Sequence, residues 1–484
     1  MSDRDHHYSP ERRTALVLTG TGVDGAYHAG VLRALDEAGV KIDLVAGRGI
    51  GAVGAVYAAV DGASRLWDQA GLWRQPAAAR LYQWRWPLRV LGWLLAAIGV
   101  VFAVPLLFVA LAILVYPVGL ALGMAGLEAG HGVITAYVGV LADAFGPGGL
   151  PTWLPRAMAV LVGMAALILA GGTLAAWWQA PIRRTARGNP LWALIGAPLD
   201  AGPAIQHFTR GVWDLLKGGA PIQKPDLGDL SRRYTELLAE NLGHPGFREL
   251  LLVAHDLDAR RDLVFGLVRE PFRRTLFPPP GAQGPRPAEA FDLAGLASDH
   301  AIDALSGALT IPGMTEPRLV RFAPDSFWRG EAHRLQDRPG SLLRLLEETA
   351  AAGAEQVIIV GASPDLPVPH ALVPPRIDAW GRLNEQAADA ETLAFGEAVL
   401  QVQRQFRGVY PVRPGHNPVA PFDLAGTHDV RSDRAHATSE LVERGYEDAY
   451  RQFIDPIVGA AGERLQARAS RSRKTATPPA PRSS

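Results

Sequence analysis

Two stretches of the chain carry no charge. Val90 to Tyr116, VLGWLLAAIGVVFAVPLLFVALAILVY, lies in an uncharged interval between Arg89 and Glu128, and a second uncharged run, Ala157 to Trp178, follows Arg156. A helix of about 20 apolar residues crosses the hydrocarbon of a bilayer. The pattern therefore predicts two transmembrane helices, 90–116 and 157–178, with Pro105 kinking the first. Gly132 to Leu141 between them is too short to span and reads as loop or interfacial helix. Arg80, Arg85 and Arg89 precede the pair and Arg183, Arg184 and Arg187 follow it, whereas the intervening segment has only Arg156, with Glu128 and Asp143. The positive-inside rule then puts both flanks in the cytoplasm and the loop outside. Trp84, Trp86 and Trp93, with Trp153, Trp177 and Trp178, suit interfacial anchors.

Outside the apolar insert the period changes. Thr14 to Thr19, TALVLT, is a short buried-type strand, and GTGVDGAYHAGVLRALDEAG follows it at once. Gly20, Gly22 and Gly25 let the backbone turn and aim N–H groups at the start of a helix that Gly39 closes. A second strand, KIDLVA, runs into AGRGIGAVGA, a sharp strand-to-helix turn. Backbone donors after strand one and an exposed position on a strained turn after strand two are the two halves of an acyl-transfer site. Gly20-x-Gly22-x-x-Gly25 also fits a dinucleotide fingerprint, but that needs an acid at the carboxyl end of strand two, and Asp43 sits at its start. A purely structural glycine turn is the plain alternative.

Composition narrows this further. The 484 residues carry 48 Lys plus Arg against 48 Asp plus Glu, a zero net charge that excludes nucleic-acid binding through a positive field. With no cysteine, disulfides, thiolate nucleophiles and thiolate metal sites are excluded. No histidine or carboxylate cluster has metal-ligand spacing, and no cofactor is implied. The first 13 residues mix both charge signs with no apolar run, which argues against a cleavable signal at the start.

At these residues the sequence resembles the patatin-like phospholipases. TGTGVDGAYHAGVLRALDEAG is similar to their glycine-rich oxyanion loop and its helix, and GRGIGA to their Gly-x-Ser-x-Gly elbow. Beyond the insert, ELLLVAHDLDARRDLVF (Glu249 to Phe265), LSGALTIPG (Leu305 to Gly313), GAEQVIIVGAS (Gly353 to Ser363) and LVERGYEDAYRQF (Leu441 to Phe453) resemble later segments of the family in the same order. The resemblance implies an α/β fold: a three-layer α/β/α domain around a mostly parallel sheet, here interrupted by a two-helix transmembrane hairpin. It also implies a Ser–Asp dyad, with the aspartate in an Asp-Gly pair.

The dyad is where the sequence departs. The serine position is Gly49, flanked by Gly47, Arg48 and Gly51, and the nearest Asp-Gly equivalent, in PDSFWRGEAHR, is Arg329-Gly330. In the loop, Asp24 stands where the family is basic, and Thr21 replaces a glycine. An acid and a base have exchanged signs, so Asp24 is expected to face Arg329 or Arg48. No other residue is an evident nucleophile: Thr19 and Thr21 would crowd the loop's donors, Ser306 reads as a helix cap, His28 as a packed histidine, and His255 precedes Asp256 and Asp258, which are structural in the family.

The chain then divides into an N-terminal tail (1–13), a patatin-like first part (14–80), the membrane insertion (81–182), a linker with amphipathic pieces lying along the membrane surface (183–245), a patatin-like second part (246–462) and a disordered basic tail (463–484). Ser231 to Gly243 reads as a helix capped by Ser231. Three functions follow. The first is a catalytically inactive patatin-like protein of the inner or plasma membrane that binds lipid or regulates a protein partner from the cytoplasmic face. The second is an active lipid acyl hydrolase with an unrecognised nucleophile, or a water-based one using Arg48, Arg329 and the loop. The third is a membrane scaffold with a vestigial pocket.

Overall fold

The computed structural model describes residues 8–179, 197–277, 284–364, 377–429 and 434–460. Arg183, Arg184 and Arg187, and the tail 463–484, lie outside them, as do the side chains of Trp177 and Trp178. The chain divides into two compact units, 1–83 with 200–484, and 84–199.

The larger unit is an α/β fold built on a nine-stranded mixed sheet. Its strands are β1 (Thr14–Thr19), β2 (Leu44–Gly47), β3 (Glu249–Asp256), β4 (Arg261–Leu267), β5 (Ala290–Asp292), β6 (Arg318–Arg321), β7 (Ala332–Gln336), β8 (Gln356–Gly361) and β9 (Gly408–Val412). The order is β9-β8-β1-β2-β3-β4-β5, and β7 pairs with both β3 and β6. From β9 to β3 all neighbours are parallel, while β4 and β7 run antiparallel to β3. β1 is buried at every position, which explains why TALVLT reads as a continuous apolar run rather than an alternation.

The helices that position the site are α1 (Asp24–Glu37) and α2 (Gly51–Ala59), each starting just past the carboxyl end of the strand before it. Farther along, α8 (Ala301–Ala308), α9 (Ser341–Ala351), α10 (Ala379–Val402) and α11 (Glu440–Ala449) complete the layers. One core cluster joins alternate residues of β1, β2, β3 and β8 to Leu342, Leu345 and Leu346 of α9 and Phe395 and Val402 of α10. Each fully buried leucine or valine there contributes about 1.5–3 kcal/mol.

Three expectations change here. Residues 200–245 are not a linker along a membrane but part of this unit: α6 (Gly202–Leu216) and α7 (Leu227–Asn241) bury Phe208, Val212, Leu230, Tyr234 and Leu238. The N-cap of α7 is Asp226, whose carboxylate accepts from Asp229 N–H, whereas Ser231 lies inside the helix and its Oγ accepts from Ile302 N–H. Ser306 is likewise no cap; it sits within α8 and its hydroxyl donates to the Ile302 carbonyl one turn back.

Among its described residues the smaller unit holds three helices: α3 (Trp86–Met124), α4 (Ala129–Phe145) and α5 (Leu150–Gln179). The loop or interfacial helix expected at Gly132 to Leu141 is a regular helix of 17 residues running antiparallel to α3. Gly119 meets Gly130 and Ile134, Tyr116 meets Tyr137, and Phe108 meets Phe145. Pro105 and Pro117 lie inside α3 without ending it. Two of the helices, Trp86–Met124 and Leu150–Gly172, are long and apolar enough to cross a membrane. The unit begins and ends at one place, since Arg85 N–H donates to Pro198 O at 2.9 Å.

Candidate active site

The carboxyl ends of β1 and β2 lie side by side, with Leu18 opposite Gly47, so the loop after one strand meets the turn after the other. Open α/β sheets place their sites at this edge. In the turn, Gly49 adopts φ +54°, the left-handed conformation of a nucleophile elbow, and α2 starts two residues later. The elbow is therefore built, but it has no room for a side chain. A Cβ on Gly49 would stand 2.2 Å from Gly20 O and 2.8 Å from Asp337 Oδ2.

The loop's donors face its own residues. Ile50 N–H, the group just after the elbow, donates to Gly20 O at 2.9 Å. Thr21 N–H donates to Asp24 Oδ2 at 2.8 Å, and Val23 N–H to Pro421 O at 2.9 Å. Pro421 O also presses on Gly22, where a Cβ would come within 1.9 Å. An oxyanion hole works by holding such donors free and aimed at developing charge. Here three of them are spent, one on an oxygen of the Asp24 carboxyl group.

Arg48 occupies the centre and is fully buried, with 0% exposure. Its Nη1 donates to both oxygens of Asp337, at 2.9 and 3.0 Å, its Nε donates to Thr19 Oγ1 at 2.7 Å, and its Nη2 pairs with Glu391. Glu391 comes from α10, and its other oxygen accepts from Thr21 Oγ1 at 2.7 Å. Both loop hydroxyls are thus engaged. Three buried carboxylates, Asp24, Asp337 and Glu391, share one guanidinium, and the electrostatics follow from that imbalance. Burial first and the Glu391 charge second push Asp24 up to about 8. Burial also raises Asp337, against the opposing pull of Arg48. Burial works against the charge on Arg48, but Asp337 and Glu391 outweigh it and hold the guanidinium above its ordinary value. Burial lowers His28 to about 3, leaving a neutral ring whose Nε2 bonds Thr19 O at 3.0 Å.

The fold brings Gly20, Thr21, Gly22, Asp24 and Gly25 together with Gly47, Arg48, Gly49 and Gly51, all of them buried. Arg329 is elsewhere. It is exposed on the turn between β6 and β7, at φ +46°, and its N–H bonds Ser326 O. Asp24 therefore faces the Arg48 cluster, not Arg329. The acid beside the elbow is Asp337, immediately after β7, where antiparallel pairing with β3 (His255 opposite Gln336) delivers it. Sequence reading passed over Asp337 because Arg338, not glycine, follows it, and it passed over Glu391 because nothing local marks one glutamate on an amphipathic helix. His255 bonds Asp262 at 2.7 Å, and Asp256 caps the β3–β4 turn through Asp258 N–H and holds His333, so none of these reaches the elbow.

Residues 16–101 match the family profile described as Patatin-like phospholipase. The chain is 53% identical over 60 residues to the human "Patatin-like phospholipase domain-containing protein 6", a match covering 12% of this chain and 4% of that protein. It is 46% identical over 67 residues to "Lysophospholipase NTE1" of Mycosarcoma maydis, again 12% and 4%. The match thus spans a small fraction of these relatives. Among solved structures, VipD from Legionella pneumophila aligns with a TM-score of 0.29 at 12% identity, over 92% of this chain and 67% of that one.

Proposed function

We propose that the chain is a membrane-inserted member of the patatin-like phospholipase family whose hydrolase centre is closed and catalytically inert. Its role is non-catalytic, binding lipid or regulating a partner at the membrane. The observation that carries this reading is Gly49, which lacks a nucleophile and has Gly20 O where a Cβ would go. Three further features support it. The hole's donors are bonded internally, Asp337 at the base position is tied to Arg48, and Thr19 and Thr21, the nearest hydroxyls, are both committed.

Membrane insertion rests on the smaller unit, whose apolar side chains are turned outward: Trp93 is 77% exposed and Ile113 73%. Apolar area on this scale is stable in hydrocarbon, not water. The joined ends of the unit are consistent with an even number of crossings, and Arg80, Arg85 and Arg89 support a cytoplasmic position for that side at the inner or plasma membrane.

The test is fluorophosphonate labelling and ester hydrolysis by the full chain in detergent, beside Gly49→Ser. We expect no labelling and no turnover in either, because a serine at 49 collides with the Gly20 carbonyl. Stoichiometric labelling of the parent would overturn the reading.

A further inference from the structure

The only charged residue of α5 is Arg156, and it does not sit in a loop. It lines an open groove of about 760 Å³ between α5 and α3, together with Trp93, Trp153, Ala96, Ala97 and Ala157. Among the described residues Arg156 has no ion-pair or hydrogen-bond partner. The rest of the lining is apolar.

We infer that this groove is a binding site for one anionic phospholipid, with the phosphate on Arg156 and an acyl chain along the alanine floor. This rests on the membrane reading above and adds the ligand to it. An arginine within a membrane helix is costly unless an opposite charge meets it, and neither Glu128 nor Asp143, the carboxylates among the insert's described residues, pairs with it. Trp93 and Trp153, which line the groove with Arg156, are the residue type that favours the headgroup level. The planar guanidinium pairs with phosphate through two parallel hydrogen bonds. The groove's volume falls within the roughly 300–1,000 Å³ of small-molecule sites. A zwitterionic lipid offers the same phosphate but brings its own cation beside Arg156, so the site selects lipids with net negative charge.

The experiment is native mass spectrometry of the full chain released from nanodiscs of equal phosphatidylglycerol and phosphatidylcholine. Retention of phosphatidylglycerol over phosphatidylcholine on the order of tenfold is expected, falling to no preference in Arg156→Ala and persisting in Arg156→Lys. Ala157→Trp keeps the charge but fills the floor, and is expected to lose the retained lipid. Equal retention of the two lipids by the parent, or a preference unchanged in Arg156→Ala, would overturn the site. Alkaline-carbonate extraction separates the two readings: a chain that stays in the pellet without lipid preference sinks the groove alone, and a chain that is washed out sinks the membrane reading with it.

Discussion

Arg48 and Arg156 are both cations set among apolar side chains, and the molecule treats them in opposite ways. Arg48 lies at 0% exposure in the globular unit, gripped by Asp337, Glu391 and Thr19. Arg156 lies on an outward-facing helix of the insert with no partner among the described residues. A buried charge persists only when its partners are built into the fold. An unpartnered one in a membrane helix must find its partner in the lipid. The same side chain thus closes one region and opens the other, and the surrounding solvent decides which.

The sharpest way to break this comparison is Arg48→Ala, which leaves three buried carboxylates without their guanidinium. A destabilisation of about 3–5 kcal/mol is expected, read from the denaturation midpoint of the full chain in detergent. A loss below about 1 kcal/mol would mean that protonation alone satisfies the cluster. In the insert, Leu107→Arg puts a charge near the middle of α3 at a position 70% exposed to the surroundings. At a helix centre this costs about 2.5–3.5 kcal/mol. Reduced retention in carbonate-washed membranes is the outcome; unchanged retention would place α3 outside hydrocarbon.

Gly49→Ala tests the elbow. The φ of +54° and the Gly20 carbonyl both oppose a methyl there, so a loss of roughly 1–3 kcal/mol is expected, without any gain of hydrolysis. The last effect is electrostatic. Asp24 has an ordinary value of 3.8 and is pushed up to about 8 in the fold by burial, then by Glu391, so the folded state keeps a proton that the unfolded chain releases. Its stabilisation is complete below pH 3.8 and is lost as pH rises through about 8. The unfolding midpoint should therefore fall by several degrees between pH 5 and pH 8, and Asp24→Asn should flatten that slope. An equal slope in the variant would assign it to Asp337.

Much of this was legible in the chain before any coordinates. Uncharged runs announce apolar helices, because a stretch of this length without a charge is long enough to cross a bilayer. TALVLT and KIDLVA announce parallel strands by their unbroken apolarity. The glycines at 20, 22, 47, 49 and 51 mark the loop and elbow: Gly20, Gly22 and Gly49 take positive φ, and a Cβ on Gly47 or Gly51 would collide with neighbouring backbone. That the turn carries no hydroxyl was visible at the single letter of Gly49. What stood opposite it was not. Arg329 looked like the counterpart because a glycine follows it, yet strand pairing leaves it on an exposed turn and delivers Asp337 instead.

The division follows from range. Local composition and spacing settled which segments are apolar and which turns need glycine, because those depend on neighbours within a few residues. Partnership across the chain was settled by sheet order and helix packing alone: Arg48 with Asp337 and Glu391, Val23 with Pro421, α4 folded back on α3. Contacts between residues hundreds of positions apart leave no periodic trace in one sequence. Asp24, too, reads as an ordinary acid until the fold buries it beside Glu391, and burial is a property of the assembled layers.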